Sequence, residues 1–500
     1  MEQLKLFNTS IDNYLVDNFS ADHFSSEEER QKLENRYAQF LEVTEKFNRQ
    51  SVSYQLSKKD ALHSWLKYKE GFSANLVNIL LDEMKAVAGD WVMDPFMGSG
   101  TTALVCQMRG INSIGYDVMP ISAVSIKAKA AVMRYDVNEI HHLIDDVSNL
   151  IVPNDYHKCT PYITITRTAY PQENERFLAY IHDWNEKSEY SEEAKNLLTL
   201  CIINSLERCS YTTKSGQYLG WDCRSFKVQE ANKVRISKGQ KPLPEKYVRP
   251  EILDSKTTIL EELAHVLADI ELIQKNGVDT EKADIDFVSK SVLYELPLVE
   301  DNKLKGVITS PPYCNRYDYT RTYALELVYL GLGEEDIKRL RQELLSCTVE
   351  SKSKIDCLKD YYSSIGKKER FDYIYATIKE NKAFAEVMTA LAKRKDAGDL
   401  NNNGVIRMVE GYFTELAFIY AELYRACKPG AMVAFVNDNV RYGGEVIPVD
   451  FLSSSFAEQF GFKVKTIYTL KQQKGNSSQQ MAKFGRIALR KGIAVWTKEN

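Results

Sequence analysis

Asp90-Trp91-Val92-Met93-Asp94-Pro95-Phe96-Met97-Gly98-Ser99-Gly100-Thr101-Thr102-Ala103-Leu104-Val105-Cys106 is the stretch on which the fold turns. A short apolar run ends at Asp94 in a turn, two glycines follow, and the residues after Gly100 have helical spacing. The pattern is strand, glycine loop, helix. Residues without a Cβ let a ligand approach the backbone, and the first turn of a helix offers unpaired N–H groups. Such a loop suits a nucleotide-like cofactor. Thr101-Thr102 stands where a phosphate-cradling loop carries lysine, so nucleotide hydrolysis is disfavoured.

Outward from the loop the alternation continues. Residues 111–116 read as a second strand ending in Asp117, whose carboxylate is placed to accept hydrogen bonds from ribose hydroxyls. Residues 121–133 have helical spacing, and the β-α-β-α order predicts a parallel sheet. Between 151 and 282 the alternation stops, and helical stretches flank a polar, lysine-bearing segment. Strands resume at Ile285-Asp286-Phe287-Val288 and at Gly306-Val307-Ile308-Thr309, the latter running straight into Ser310-Pro311-Pro312-Tyr313. Residues 333–403 are helical and heavily charged and end in the breaker Asn401-Asn402-Asn403-Gly404. A helix over 408–427, a turn at Lys428-Pro429-Gly430, a strand over 431–436, a helix over 451–460 and strands at 464–470 and 493–497 follow. Upstream, residues 1–60 are polar, and Ser25 or Ser26 is placed to cap a helix running to about residue 47.

Five hundred residues with 44% hydrophobic content bury a large core. A net charge of −4 excludes a uniformly basic coat but leaves room for a local basic groove. The nine cysteines form no C-x-x-C pair and only seven histidines accompany them, so they read as reduced thiols and no metal site is expected. Met1-Glu2-Gln3-Leu4-Lys5 lacks a cationic segment leading into an apolar one, and no run of about 18 apolar residues occurs. The expectation is a soluble, cytoplasmic protein without a membrane partner.

The two motifs together carry a resemblance. Asp94 to Thr102 resembles the F-x-G-x-G cofactor motif, and Thr309 to Tyr313 the [D/N/S]-P-P-[Y/F] motif, of DNA amino-methyltransferases. His63 to Ser73 resembles the segment that precedes the glycine loop in that family and covers the methionine part of the cofactor. The resemblance implies an α/β, Rossmann-like methyltransferase sheet, mostly parallel with an antiparallel C-terminal strand, carrying two largely helical insertions. It implies S-adenosylmethionine as cofactor, with Phe72, Ser73, Asp94, Phe96, Gly98, Gly100, Thr101 and Asp117 as candidate contacts. Ser73 also has an ordinary use as helix N-cap. One departure stands out: relatives often carry a carboxylate at the end of the strand before the catalytic one, where this chain reads Asp286-Phe287-Val288-Ser289-Lys290-Ser291.

For Ser310, Pro311, Pro312 and Tyr313 the resemblance implies catalysis on a flipped base. The base amine donates hydrogen bonds to the Ser310 side chain and to the carbonyl joining the prolines, while Tyr313 stacks on the ring. Such acceptors raise the nucleophilicity of a delocalised amine, and the prolines fix the carbonyl in place. Extruding the base costs a few kcal/mol, part of which stacking returns. Serine in first position leans toward cytosine N4 over adenine N6; an RNA base-amine methyltransferase and a non-catalytic DNA-binding subunit remain alternatives. Cys314 follows Tyr313 rather than a proline, which disfavours a cysteine nucleophile.

The resulting map has an N-terminal helical extension (1–60), a first methyltransferase part that binds cofactor (61–150), a target-recognition insertion (151–282), the catalytic part (283–332), a helical insertion (333–403) and a C-terminal part (404–500). Double-stranded DNA is the expected partner. Lys227, Lys233, Arg235, Lys238, Lys241, Lys246 and Arg249 interleave with Tyr218, Trp221 and Phe226, as phosphate contacts and stacking require; the alternative is a solvated loop. The run from Tyr211 to Gln217 is placed to read base edges. Arg316 and Arg321 either bind phosphate or pair with Asp318 and Glu326. In the second insertion Lys338, Arg339, Arg341, Lys367, Lys368 and Arg370 are weaker candidates among many acids. No nuclease motif is present, so any restriction endonuclease or defence protein is expected to be a separate chain.

Overall fold

The computed structural model describes residues 11–215, 218–277, 283–471 and 482–499. The Met1–Lys5 stretch, Gly216 and Gln217 lie outside these residues, as does the Tyr218 side chain. The strands are β1 (Leu41–Thr44), β2 (Trp91–Asp94), β3 (Asn112–Tyr116), β4 (Thr212–Ser215), β5 (Tyr218–Trp221), β6 (Ile285–Val288), β7 (Leu304–Thr309), β8 (Cys427–Asp438), β9 (Val440–Tyr442), β10 (Glu445–Ile447), β11 (Lys463–Leu470) and β12 (Lys491–Thr497). Eight of them form one sheet in the order β1-β11-β12-β8-β7-β2-β3-β6. Every pairing in it is parallel except those of β12, which runs antiparallel to both β8 and β11.

Alternate residues of the central strands enter opposite cores, as a sheet covered on both faces requires. Met93, Val307, Val433 and Phe435 pack beneath the long helix Gly404–Ala426. Val92, Ile308, Met432 and Ala434 pack against α2 (Ala74–Met84), once α1 (Glu28–Tyr37) has been passed. After β2 come α3 (Thr101–Met108), α4 (Pro120–Ala130) and α5 (Val137–Asn149). The first insertion supplies α6 (Gln172–Lys187), α7 (Glu192–Ser205), α8 (Phe226–Ser237) and α9 (Ser255–Lys275). Its helices α6, α7 and α9 share a third core with α4 and α5, so this insertion is built onto the sheet's own helices. The helices of residues 355–396 likewise pack through Leu358, Phe371, Phe384 and Leu391 into the core beneath Gly404–Ala426.

Three local expectations change. The N-terminal extension is not helical throughout: α1 ends at Tyr37, and Leu41–Thr44 joins the sheet edge as β1, pairing Leu41 with Ile467. Ser25 and Ser26 do not cap α1; their hydroxyls donate to Glu445 and Glu386. Lys428-Pro429-Gly430 is not a turn but a bulge inside β8, where the register against β7 shifts between Leu304 and Gly306. No helix among the described residues is long and apolar enough to cross a membrane.

Candidate functional site

β2 and β7 lie side by side and end together, so the glycine loop and the Ser310–Tyr313 segment leave the sheet at the same edge. Asp94 ties them. Its carboxylate accepts Thr102 Oγ1 at 2.8 Å, Thr309 Oγ1 at 2.6 Å and the Phe96 N–H at 3.1 Å. With the side chain 2% exposed, burial pushes its pKa up to about 6 against those three donors. The carboxylate is therefore engaged within the protein, and Asp94 also lines the cleft beside the glycine loop.

Gly100 precedes α3 at φ +93°, and a Cβ there would sit 2.8 Å from Ile126 Cγ1. Gly98, at φ +53°, would place one 3.0 Å from the Tyr68 ring. Only glycine brings this backbone so close to its neighbours. Asp117 holds the loop from the end of β3: its two oxygens accept the Gly98 N–H and the Met119 N–H, each at 2.8 Å. Each oxygen keeps a lone pair for a hydroxyl donor, and burial raises this carboxyl to about 6. Ser73 accepts the Leu76 N–H as the N-cap of α2 and is fully buried; Phe72 is buried at the cleft.

Phe72, Phe96, Gly98, Thr101 and Asp117 line one cleft. Its ionisable wall is mostly acidic, with Glu70, Asp94, Asp117 and Glu343 against Lys290. That charge suits a cationic, ribose-bearing ligand and opposes a polyphosphate. Asp286 is exposed and absent from this wall, which Lys290, Ser291 and Val292 supply instead.

A second cavity lies on the other side of the Ser310–Tyr313 segment. Ser310 and Pro312 border the first cavity, Pro311 and Tyr313 the second. The Ser310 hydroxyl donates to the Tyr313 hydroxyl at 3.1 Å, leaving its lone pairs to accept. Lys491 Nζ stands 5.3 Å from the Tyr313 ring centre and 3.3 Å from Asp438 Oδ1. Burial drives the Tyr313 hydroxyl upward in pKa, with Lys491 opposing. Cys314 is buried, its thiol pushed well above its ordinary value, unsuited to attack.

The chain belongs to the N4/N6 DNA amino-methyltransferase family. The family described as DNA methylase matches residues 11–124. The Type II methyltransferase M.BsoBI of Geobacillus stearothermophilus is 48% identical over 470 residues, 94% of this chain and 92% of its own length. The Type II methyltransferase M.AvaI of Nostoc sp. is 37% identical over 477 residues, 93% of this chain and 92% of its own length. A shorter stretch of 88 residues is 38% identical to the Type II methyltransferase M.MjaII of Methanocaldococcus jannaschii. Methyltransferases of this family use S-adenosylmethionine.

Away from the methyltransferase cleft, the basic candidates divide. Helix α8 buries none of its side chains. Lys227 Nζ lies 4.3 Å over the Trp221 ring, Lys233 pairs with Glu230, Arg235 donates to the Lys241 carbonyl, and Lys238 is exposed. Arg249 instead clamps the β4–β5 hairpin, donating to the Thr212 carbonyl, Thr213 Oγ1 and Glu207. Arg316 donates to Asn401 at 2.9 Å, and Arg321 pairs with Asp318 and Glu350 rather than Glu326. In the second insertion Lys338, Arg339, Arg341 and Arg370 all have carboxylate partners.

Sequence reasoning passed over Glu70, Lys491 and Asp438, whereas Asn315, Tyr317 and Tyr319 line the second cavity from the segment after Tyr313. Glu70 stood inside the quoted His63–Ser73 segment, two residues before Phe72. Lys491 and Asp438 meet only through the β12–β8 register, which pairs them directly.

Proposed function

We infer that this enzyme methylates the exocyclic amine of a flipped DNA base, most directly cytosine N4, and that Ser310, Pro311, Pro312 and Tyr313 carry the reaction. The observation behind this reading is the position of that segment as the partition between two cavities. One suits the cofactor, with Phe72, Asp94, Phe96, Gly98, Thr101 and Asp117 among its walls, while Ser73 and Gly100 stand behind that lining and shape it, Ser73 as the cap of α2 and Gly100 as the turn into α3. The other receives the base against Tyr313.

When bound, S-adenosylmethionine supplies an electrophilic methyl group. Ser310 Oγ and the carbonyl joining Pro311 to Pro312 accept the two amine hydrogens and orient the nitrogen lone pair toward the cleft. The prolines hold that carbonyl without a competing N–H. Tyr313 stacks on the ring and excludes water from one face, offsetting part of the extrusion cost. Asp94 acts by holding both loops in register; Asp117 accepts ribose hydroxyls.

Lys227, Lys233, Arg235 and Lys238 on and after α8 support duplex binding through phosphates, with Arg316 and Arg321 nearer the base cavity. The likeness to Type II methyltransferases supports a cytoplasmic restriction-modification role with a separate endonuclease. Mass analysis of nucleosides from DNA of an expressing strain tests the base: N4-methylcytosine is expected, and N6-methyladenine overturns the cytosine assignment. Tyr313→Ala abolishes transfer to DNA while the protein still binds S-adenosylmethionine; label arriving on RNA instead of DNA overturns the substrate class.

A further inference from the structure

Replacing an amine hydrogen by methyl releases one proton, and the proline carbonyl and Ser310 hydroxyl hold no negative charge to take it. The carboxylates bordering the two cavities differ in how they are committed. Asp94 is engaged by three donors, Asp117 by two backbone N–H groups and Asp438 by Lys491, while Glu343 is exposed and borders the first cavity alone. Glu70 alone of these borders both cavities, together with Gly71 and Tyr319. Its carboxylate accepts the Tyr323 hydroxyl, and Tyr317 lines the second cavity beside it. Tyr323 is itself fixed: its oxygen accepts the Lys69 N–H at 3.1 Å, and its ring stacks on Tyr68 with centroids 5.2 Å apart.

The geometry points to Glu70 as the acceptor of the amine proton, placed where the two cavities meet. This rests on the amine-methylation reading. The amine nitrogen gains a bond to carbon as the methyl carbon–sulfur bond breaks; one of the two N–H bonds held by Ser310 and the proline carbonyl then breaks, and its proton passes through a water in the cavity to a Glu70 oxygen. The sulfonium charge thus departs as that proton, which later passes to solvent. No oxidant or further reactant is needed. Around Glu70 stand Tyr317, Tyr319 and Tyr323, Tyr68 from its own loop, and Lys214, whose ammonium lies 4.3 Å over the Tyr323 ring and pairs with Glu326. Burial raises the Glu70 carboxyl against those donors and Lys214, which brings an acceptor closer to neutrality.

Single-turnover transfer to duplex DNA is measured against pH at saturating S-adenosylmethionine, alongside the affinity for S-adenosylhomocysteine. Glu70→Gln is expected to lower the transfer rate ~100-fold, the low end of general-base contributions, and to remove the acid limb attributable to Glu70. Because Glu70 also lines the cofactor cleft, S-adenosylhomocysteine affinity is measured to separate any loss of binding from the loss of the acid limb, which a binding role alone would not remove. Tyr323→Phe removes a donor to the carboxylate and is expected to move the acid limb to higher pH. Infrared titration of the cofactor-free protein, comparing wild type with Glu70→Gln, reads the carboxyl band directly and should show it shifting with Tyr323→Phe. A Glu70→Gln enzyme whose rate is reduced at every pH with its acid limb intact overturns the proposal, as does an unmoved limb in Tyr323→Phe. Should wild type place no methyl on a base amine, the underlying reading fails rather than the role of Glu70.

Discussion

Replacing Thr309 by valine keeps the shape of the side chain and deletes one hydroxyl from a fully buried position. The lost bond is the 2.6 Å contact to Asp94, which retains Thr102 and the Phe96 N–H. A hydrogen bond to a charged group contributes about 1.5–3 kcal/mol, so about 2 kcal/mol is expected. Asp94 would move upward from about 6. The sign follows from linkage: a carboxyl whose folded pKa lies above its unfolded value, about 3.9, contributes stability that is fully present below the unfolded pKa. That contribution is lost as pH rises through the folded pKa. At about pH 5 both proteins fold with Asp94 protonated, whereas at about pH 8 both must ionise it, and only wild type has the third donor. The stability deficit of Thr309→Val should therefore be about 2 kcal/mol larger at pH 8 than at pH 5. Urea unfolding at the two pH values measures it. An equal deficit at both, or a larger one at pH 5, would refute the role given to the Thr309–Asp94 bond.

Gly100→Ala forces a Cβ to within 2.8 Å of Ile126 at φ +93°, so a loss of about 1–2 kcal/mol in stability and weaker S-adenosylhomocysteine binding by calorimetry are expected. Arg249→Ala removes the clamp on β4–β5, and limited proteolysis should then cut the hairpin region while the rest of the chain stays resistant. Lys233→Ala with Lys238→Ala should lower the slope of log affinity for duplex DNA against log salt by about 1 per lysine; an unchanged slope removes α8 from the DNA face.

The sheet was legible where strands carry runs of apolar residues and end in a recognisable loop, as at Asp94 and Thr309. β1 was hidden because four residues following a helix carry no period of their own; their partner lies beyond residue 460. The β8 bulge was hidden because Lys-Pro-Gly is turn chemistry that a strand tolerates where its neighbour's register slips. Around the two cavities, Gly98, Asp117 and the Ser310–Tyr313 segment announce themselves by local spacing. Counting basic residues could not separate Arg249 from Lys238, since the difference lies in backbone carbonyls brought near by folding. Lys491 opposite Asp438 is information held only by strand pairing.

That edge pairing of β1 also fixes a timetable. Leu41 bonds in register with Ile467, so a nascent chain emerging at ~5–20 residues per second carries an unpaired Leu41–Thr44 for roughly 20–85 s before its partner is made. During that interval β2 and β3 can pair, since both lie close together in the chain, but the sheet's far edge stays open. An open edge is a template for other chains. Slowing synthesis between the codons for 45 and 463 should therefore lower soluble yield without altering the finished enzyme.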